Sequence, residues 1–377
     1  MLEFCGDHAR CKVFVDELEN NARQQIYDFL NHPAFEGMTI RIMPDVHAGA
    51  GAVIGFTGTL TDKIVPNVIG VDIGCGVTAV KLLTVMDRDF TDKEFKSFDQ
   101  FVRMHVPNGH GVRQKEYPYD AALMQQCEEV ALATGQNPDY VRKSLGSLGG
   151  GNHFIELDKD QNGGLWLVVH SGSRNFGLKI ANYHQQQAVP TVGRGRGLEW
   201  LEGEKAQLYF KHMSVAQKFA AANRRVMLSV MGEHFNRRLC GPFTDLPIVE
   251  SVHNYINFDD KVIRKGAISA HKGERVIIPW NMRDGTIIGT GKGNSEWNNS
   301  APHGAGRIMG RNEAKRTLSL EEFQTTMSGI WTSCVSAKTL DEAPMAYKDP
   351  QPIIDVINDT IELELILKPI YNFKASE

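Results

Sequence analysis

The chain of 377 residues is long enough to bury an extensive hydrophobic core, and 42% hydrophobic with 23% charged residues is ordinary globular usage, which excludes wholesale disorder. It carries 41 Lys and Arg against 45 Asp and Glu, a formal charge of −4. That balance excludes a protein that coats nucleic acid by charge alone, although a local basic groove remains compatible with it. Glycine is in excess, with 36 residues, and the excess is concentrated in a few clusters.

The predicted elements alternate between helices and strands along the chain. Apolar residues at helical spacing predict an amphipathic helix over 14–31, ending before Pro33. The patterns that follow predict strands over 39–43, 63–83 and 165–170, helices over 92–105 and 119–134, and a long helix over 198–239 that one break could interrupt. From residue 250 onward, short strand-like runs alternate with glycine loops, and the last fifty residues mix helix and strand. Because no repeat or composition break divides the chain, the sequence predicts one intertwined α+β domain over 1–377, with mixed sheets.

The cysteines and the apolar runs indicate in which cellular compartment the protein is expected. The six cysteines are Cys5, Cys11, Cys75, Cys127, Cys240 and Cys334. No CxxC pair occurs, which excludes a zinc ribbon or a thioredoxin-like motif. The first residues lack the apolar run of a secretory signal, and no stretch approaches the ~18 apolar residues of a membrane span. We therefore expect a cytoplasmic protein with free thiols and no membrane association.

Polar residues with metal-binding or catalytic chemistry recur where predicted strands end in glycine loops. These residues are Asp45, His47, Asp72, Cys75, Asn152, His153, His170, His253 and His303. Loops held by a rigid scaffold are where binding groups collect, and glycine lets the backbone approach a ligand closely. Taken singly, Cys75 is more simply explained as a small buried residue and each histidine as an ordinary core or surface residue. The joint pattern favours a metal centre at strand-loop junctions. Carboxylate, thiolate and imidazole together suit Mn²⁺, Fe²⁺, Co²⁺ or Zn²⁺ better than Mg²⁺ or Ca²⁺.

Two glycine motifs indicate phosphate chemistry with different strength. GGGNHF could cradle a phosphate through bare N–H groups, but alone it is a weak signal, and no GxxxxGK[ST] motif is present. The segment HGAGR sets His303 beside open backbone N–H groups and Arg307. That arrangement fits an imidazole that attacks phosphorus, with charge stabilised nearby, although a turn with an incidental histidine would give the same letters.

The motifs MPDVHAGAGAVIG, GVDIGCG, SLGGGNHFIE, VVHSGSR, VHNY, RKGA and APHGAGR occur in this order between about residue 44 and residue 374. In these long and specific segments the sequence resembles the RtcB-type RNA ligases. The resemblance implies one distinctive α+β fold and the joining of RNA ends that carry a 2′,3′-cyclic phosphate or 3′-phosphate to 5′-hydroxyl ends. It also implies GTP and two Mn²⁺ ions per chain as cofactors, and cleaved RNA as the partner.

The resemblance also assigns roles to individual residues. Asp72, Cys75 and His153 would hold one Mn²⁺, and Cys75, His170 and His253 would hold the second, with the thiolate bridging. His303 would become guanylylated, and Asp45 would orient its imidazole. Asn152 would contact the triphosphate, and the positions that enclose the guanine are matched by Phe154, Glu156, Tyr347 and Lys374. The remaining residues assigned to the nucleotide are Asn281, Gly304, Ala305 and Gly306. Arg174 and Arg307 would contact RNA or nucleotide phosphates.

One loop departs from the family pattern. Where the family usually reads PGSMG, this chain has Pro279, Trp280, Asn281, Met282 and Arg283, and it is shorter than typical members. The departure leaves nucleotide preference open and suggests a divergent bacterial paralogue engaged in RNA repair. A monomer is the default expectation for the oligomeric state. Two alternatives stay open: a metal-dependent 2′,3′-cyclic phosphodiesterase that has lost guanylylation, and a non-catalytic RNA-end binder. The presence of both Asp45 and His303 speaks against the binder, since binding alone needs no nucleophile.

Overall fold

The computed structural model describes residues 1–83, 88–189, 197–239 and 248–375. Across these ranges the chain mixes helices and strands, as predicted for an α+β protein. None of the helices in these ranges is both long and apolar enough to cross a membrane. Cys240 lies outside the described residues, and the other five cysteines are free thiols.

The strands of the described residues are short, apart from the last one. They are β1 Leu2–Cys5, β2 Arg10–Val13, β3 Thr39–His47, β4 Ile54–Thr59, β5 Gly76–Leu83, β6 Phe154–Asp160, β7 Leu165–Ser171, β8 Ile248–Val252, β9 Asn254–Asn257, β10 Val262–Lys265, β11 Ala267–Ser269, β12 Arg275–Asn281, β13 Gly285–Gly291, β14 Ser300–Pro302, β15 Trp331–Thr332 and β16 Ile361–Lys374.

The helices differ more in length. They are α1 Asn20–Leu30, α2 Asp92–His105, α3 Ala121–Ala133, α4 Pro138–Ser144, α5 Arg174–Gln187, α6 Gly203–Leu239, α7 Arg311–Thr317, α8 Leu320–Thr326 and α9 Gln351–Ile357. The long helix predicted over 198–239 is therefore present as α6 and is unbroken. Helices α4 and α5 were not predicted.

Two predicted elements are too long, for different reasons. The helix predicted over 14–31 starts only at Asn20, because the chain before it continues the sheet: the Phe14 N–H donates to the Ile42 carbonyl at 3.0 Å, and the Phe14 ring stacks on Trp297. The strand predicted over 63–83 starts only at Gly76. A 3-10 turn begins at Pro66, and Gly74 has a φ of 73°, so the backbone before β5 cannot extend.

The strands form three sheets of different size. The first has the order β1-β2-β3-β4-β10-β9, and β11 with β14 forms a small pair. The largest has the order β12-β13-β16-β6-β7-β5-β8, with β15 beside β16. Its two end strands meet, since the Ile277 N–H on β12 donates to Ser251 Oγ on β8 at 3.0 Å. The large sheet is therefore nearly closed, and an apolar cluster that includes Phe154, Trp166 and Leu367 fills one of its faces.

Candidate active site

Four polar residues lie at one end of the large sheet because of its register. Gly76, which opens β5, pairs with Ser171 at the end of β7 and with Val252 at the end of β8. Phe154, which opens β6, pairs with His170 on β7. Neighbouring antiparallel strands thus begin and end at the same edge. Cys75, His153, His170 and His253 are brought together there from four separate segments of the sequence.

The side chains at this edge form a compact group of metal-binding atoms, here called the donor cluster: Asp72, Cys75, His153, His170 and His253. Cys75 Sγ lies 3.2 Å from His170 Nε2 and 3.4 Å from His153 Nε2. His170 Nε2 lies 3.3 Å from His253 Nε2, and His153 Nε2 lies 3.0 Å from Asp72 Oδ2. All five predicted metal ligands therefore lie in one place, and the two predicted ligand sets share Cys75 at the centre.

The chemistry of the donor cluster fits a cation. His153 Nδ1 lies 2.9 Å from the Leu148 carbonyl and His170 Nδ1 lies 3.1 Å from the Asn152 carbonyl. Only a protonated nitrogen can bond a carbonyl, so in the neutral rings both Nε2 atoms carry lone pairs that point into the cluster. Burial also lowers the pKa of His170 and His253 far below the usual range, which keeps these rings neutral. Burial, reinforced by Asp72, raises the pKa of the Cys75 thiol, so a thiolate at this position requires a cation to stabilise it.

A buried arginine that the sequence analysis missed holds the edge in place. Arg224 on α6 is fully buried, and its Nη1 donates to the carbonyls of Gly74 at 2.8 Å and Ser171 at 2.9 Å. Its Nη2 donates to Glu250 Oε1 at 2.9 Å. These three partners stand immediately before Cys75, immediately after His170 and three residues before His253. A single side chain thus ties together the segments that carry the donor cluster, and nothing in the helical spacing of α6 singles it out.

His303 lies beside the donor cluster and is held by a carboxylate. Its Nδ1 lies 2.6 Å from Asp45 Oδ2, and its backbone N–H donates to the same oxygen at 3.2 Å. Asp45 is completely buried, and the His303 ring packs on His253 with centroids 4.8 Å apart. Within the described ranges, His303 Nε2 has no hydrogen-bond partner. If Asp45 accepts the Nδ1 proton, Nε2 keeps a free lone pair beside the cluster.

The turn after His303 needs glycine. Gly306 has a φ of 73°, and a Cβ there would stand 2.4 Å from the Asp45 carbonyl oxygen. A side chain at Gly306 would therefore push the HGAGR segment away from Asp45 and break the pairing between Asp45 and His303.

A cavity opens beside His303 and collects the predicted nucleotide residues. It is lined by Asn152, Phe154, Glu156, Asn281, Gly304, Ala305, Gly306, Tyr347 and Lys374, together with Arg307, Trp280 and Arg311. This cavity is called the nucleotide cavity below. Burial raises the pKa of the Glu156 carboxyl above its usual range, opposed by a hydrogen bond from Asn372 and by the charge of Lys374. The cavity therefore presents a carboxyl group with a variable protonation state among several cationic groups.

The divergent loop shapes this cavity in a way that its sequence does not reveal. The Asn281 amide is used within its own turn: Oδ1 accepts from the N–H groups of Arg283 and Asp284, and Nδ2 donates to Asp284. Trp280 is 5% exposed and lines both the nucleotide cavity and an adjacent cavity of about 600 Å³. Arg283 points outward and pairs with Asp284. Of the three residues, Trp280 is the one that can contact a ligand in the nucleotide cavity without giving up another bond.

The two predicted phosphate-binding arginines lie in different places. Arg307 lines the nucleotide cavity, whereas Arg174 lines another cavity of about 630 Å³ that also reaches Asp72 and His153. Arg174 is held by the Gly109 carbonyl at 2.7 Å and by Ser147 Oγ at 3.3 Å. Gly149 makes room for it, since a Cβ there would stand 1.8 Å from Arg174 Nη1. The donor cluster thus lies between two cavities, each with one of the predicted arginines.

The sequence analysis also missed two charged residues at the nucleotide cavity, one in its lining and one behind it. Arg311 lines the cavity at the start of α7, and its Nη1 donates to Glu342 Oε1 at 2.5 Å. Glu342 is 2% exposed and ends a 3-10 turn. Neither residue stands at a strand end, so the search for polar residues at strand-loop junctions could not find them.

The fold and the site define a protein with a nearly closed sheet, a thiol–imidazole donor cluster at one of its edges and a carboxylate-held histidine beside that cluster. The sequence model of the family described as "tRNA-splicing ligase RtcB" matches residues 25–375. The chain therefore belongs to the RtcB family.

Individual relatives agree with this assignment. The chain is 32% identical to the RNA-splicing ligase RtcB of Escherichia coli, over 95% of each protein. It is 27% identical to the tRNA-splicing ligase RtcB of Thermococcus kodakarensis, over 84% of this chain and 83% of that protein. It is 26% identical to the protein of the same name from Archaeoglobus fulgidus, over 90% of this chain and 88% of that one. The similarity thus extends over nearly the whole length of the chain.

Proposed function

We propose that this protein is an RNA ligase that joins 2′,3′-cyclic phosphate or 3′-phosphate ends to 5′-hydroxyl ends through a guanylylated His303, with GTP and two Mn²⁺ ions, in RNA repair. One observation carries the proposal: a histidine held by a buried carboxylate, with a free Nε2, stands directly against the donor cluster. The names of the relatives, which are RNA-splicing and tRNA-splicing ligases, support the choice of RNA. We further propose that the protein acts as a cytoplasmic monomer.

The donor cluster would hold the metal ions. Asp72, Cys75 and His153 would hold one ion, and Cys75, His170 and His253 the other. Two bound divalent cations neutralise phosphate oxygens and orient a nucleophile in displacements at phosphorus. The chain's own contribution is to keep the imidazole Nε2 atoms unprotonated through the carbonyls of Leu148 and Asn152, and to fix their directions.

His303 would act as the nucleophile toward GTP. Its Nε2 forms a bond to the α-phosphorus, the bond from that phosphorus to the pyrophosphate oxygen breaks, and the Nδ1 proton stays on the hydrogen bond to Asp45. The RNA 3′-phosphate then takes the GMP group from Nε2. In the last step the RNA 5′-hydroxyl attacks the activated phosphorus and GMP leaves. A cyclic end must first be opened by water.

The two cavities give each substrate a place to bind. The nucleotide cavity carries Arg307, Arg311 and Lys374, which suit a nucleotide with several negative charges. The second cavity carries Arg174 and reaches Asp72 and His153, so an RNA end bound there meets the donor cluster from the other side. This arrangement supports transfer between two substrates across one metal centre.

Covalent labelling tests the proposal. The protein is incubated with Mn²⁺ and α-labelled GTP, and mass spectrometry locates the label; GMP on the peptide that contains His303 is expected. His303→Ala should abolish labelling and the ligation of 3′-phosphate ends while leaving metal content unchanged. His271→Ala is the matched control, because His271 Nε2 also pairs with a carboxylate, Asp260, at 2.9 Å but lies outside the nucleotide cavity. Label on a lysine, or wild-type ligation of 3′-phosphate ends by His303→Ala, would contradict the proposal.

The altered loop favours one alternative, a metal-dependent phosphodiesterase that opens 2′,3′-cyclic ends without ligation. The Asn281 amide is hydrogen-bonded within its own turn, and Trp280 lines the cavity where the family has glycine. Under this alternative, the cavity does not bind guanine. In that case Mn²⁺ would support opening of cyclic ends, and neither label nor ligated product would form. The same incubation, with an RNA that carries cyclic-phosphate and 5′-hydroxyl ends, separates the two functions.

A further inference from the structure

Four polar side chains on the wall of the nucleotide cavity share one acceptor. They are Arg307, Arg311, Tyr347 and Lys374, called the cationic wall below. The Tyr347 hydroxyl donates to Glu342 Oε2 at 2.6 Å and Lys374 Nζ to the same oxygen at 2.5 Å. Arg311 Nη1 donates to Oε1 at 2.5 Å and Arg307 Nη1 to Oε1 at 3.2 Å. Every member of the cationic wall is thus tied to a single carboxylate.

Glu342 itself stands behind the wall and not in the cavity. Its side chain is 3% exposed and is absent from the cavity lining. Burial opposes its ionisation, but the charges of Lys374, Arg311 and Arg307 lower the pKa of Glu342 well below its usual range. The group is therefore an ionised carboxylate that makes four hydrogen bonds and has no direct route to a ligand.

The charges around Glu342 do not cancel. Arg307, Arg311 and Lys374 bring three positive charges to one carboxylate. The neighbouring Asp341 pairs with Arg311 at 2.9 Å, but it also takes Lys315 at 3.4 Å. Four cations thus surround two carboxylates, and three of the four, Arg307, Arg311 and Lys374, line the nucleotide cavity with a surplus of positive charge. A polyanion in the cavity would satisfy this surplus.

We propose that Glu342 is a positioning residue, which gathers Arg307, Arg311, Tyr347 and Lys374 into one preformed wall for the nucleotide and takes no part in the chemical steps. The inference rests on the proposed use of GTP. Three like charges at this spacing would repel one another without a shared counter-charge, and their long side chains would lose their common geometry. A wall that is ordered before the ligand arrives avoids that cost at the moment of binding.

A positioning role and a purely electrostatic role predict opposite results for Glu342→Gln. This substitution keeps the size and removes the charge, so the wall becomes more positive. If the carboxylate only reduced the positive field, an anion should bind the variant more tightly. If the carboxylate positions the wall, an anion should bind it more weakly, because the cations separate. Inorganic tripolyphosphate is a suitable probe, since it has the charge of a nucleotide triphosphate and no base.

The test compares Glu342→Gln and Glu342→Asp with the wild-type chain. We expect Glu342→Gln to raise the KM for GTP in His303 guanylylation about tenfold or more, the loss expected for charge-assisted hydrogen bonds. The rate at saturating GTP and the Mn²⁺ content should stay within about threefold of wild type. Tripolyphosphate binding, measured by calorimetry, should weaken, and Glu342→Asp should recover part of the loss.

Asp341→Asn is the matched control, because its side chain touches Arg311 and Lys315 but not Lys374 or Tyr347; its KM should change less than about threefold. Tighter tripolyphosphate binding by Glu342→Gln, an unchanged KM, or a loss confined to the saturating rate would overturn the inference. If Glu342→Gln does not fold, Glu342→Asp and Tyr347→Phe carry the test through smaller rises in KM, and no rise in either would overturn it. If the wild-type chain is not labelled by GTP, the proposed function fails, whereas tripolyphosphate binding still tests the wall.

Discussion

The donor cluster and the cationic wall lie on neighbouring sides of His303 and are opposites in charge. In the donor cluster, Cys75 Sγ lies within 3.4 Å of the Nε2 atoms of both His153 and His170, and the cluster itself contains no lysine or arginine. In the cationic wall, Arg307, Arg311 and Lys374 crowd around one carboxylate. The first region presents lone pairs to a cation, and the second presents more positive charge than its carboxylate balances.

The difference indicates what each region does. A folded protein seldom leaves buried polar groups so unevenly paired unless a ligand completes them. The cluster fits metal ions, and the wall fits an anionic ligand. A mutation in one region should nevertheless leave ligand binding at the other region intact, because among the described residues no side chain belongs to both.

Loss of the central thiol should break the donor cluster alone. Cys75→Ala removes the atom that contacts both His153 and His170, so we expect Mn²⁺ affinity to fall on the order of a hundredfold or more and ligation to disappear with it. Tripolyphosphate binding at the wall should persist. Cys127→Ala is the matched control, since Cys127 is also a buried free thiol but lies on α3. Full metal occupancy in Cys75→Ala, measured by elemental analysis, would exclude a bridging thiolate.

Loss of one wall cation should have the reverse pattern. Arg311→Ala removes a cavity-lining charge and should weaken GTP binding about tenfold while Mn²⁺ binding is unchanged. Lys315→Ala serves for comparison, because the described part of the chain pairs Lys315 with Asp341 and does not include it in the lining of the nucleotide cavity. Calorimetry with GTP and with Mn²⁺ measures both quantities. A parallel fall in metal affinity would show that the two regions are coupled.

A pair of histidines outside both regions shows that two neighbouring imidazoles can satisfy each other by a hydrogen bond. His184 Nε2 lies 3.0 Å from His212 Nδ1 between α5 and α6, which is an ordinary hydrogen bond between two neutral rings. Burial, with the His212 charge, lowers the pKa of His184 to about 4. Below pH 6.5 His184 takes up a proton in the unfolded chain but not in the folded chain. The free energy of unfolding therefore decreases as the pH is lowered. From pH 7 to 5.5 the free energy of unfolding should drop by about 1 kcal/mol through this group.

The measurement is chemical denaturation of the wild-type chain and His184→Gln at several pH values, with a chelator present to remove metal effects. The variant should lose less stability on acidification than wild type. His110→Gln, a change at an exposed histidine, should leave the acid-induced loss unaltered. Identical pH profiles for wild type and His184→Gln would mean that the pair does not carry this dependence.

The divergent loop should have the smallest effect. Trp280→Phe keeps an aromatic face on the nucleotide cavity but removes the indole N–H, which has no partner among the described residues. We expect the ratio of GTP to ATP labelling to change about threefold, the worth of one ordinary hydrogen bond. Metal content should not change. Trp297→Phe, which alters the ring stacked on Phe14, should leave the ratio as in wild type; an equal change in both variants would indicate a general loss of stability.

The donor cluster could be anticipated from the sequence because its members occupy one kind of position. Cys75, His153, His170 and His253 all stand at the edge of a strand next to a recognisable glycine or apolar run, and antiparallel pairing then brings them together. The sequence predicted where strands end more accurately than how long they are. The strand predicted over 63–83, for example, starts only at Gly76. The resemblance to a family supplied the division into two metal sites, which spacing alone could not.

The cationic wall was only partly predictable. Arg307, Tyr347 and Lys374 were assigned through the resemblance, but Glu342 and Arg311 carry no local signal. Their importance comes from contacts across the chain, such as the one between Glu342 and Lys374. A charged residue outside a recognised motif is usually solvated, so no pattern of neighbours marks Glu342, which is buried. Likewise, residue spacing could not predict that the Asn281 side-chain amide would form its hydrogen bonds within its own turn.

Arg224 is synthesised long after the first residues that it holds in place. It emerges from the ribosome roughly 150 residues after Cys75 and shortly before His253, and synthesis at ~5–20 residues per second separates Cys75 from His253 by roughly 10–35 s. Until Arg224 and then His253 are made, Cys75 is present without them, and the Gly74 carbonyl lacks the donor that later joins it to the Ser171 carbonyl. The donor cluster is therefore complete only in the finished protein, after α6 has docked on the sheet, and we expect any metal that it binds to be taken up at that stage.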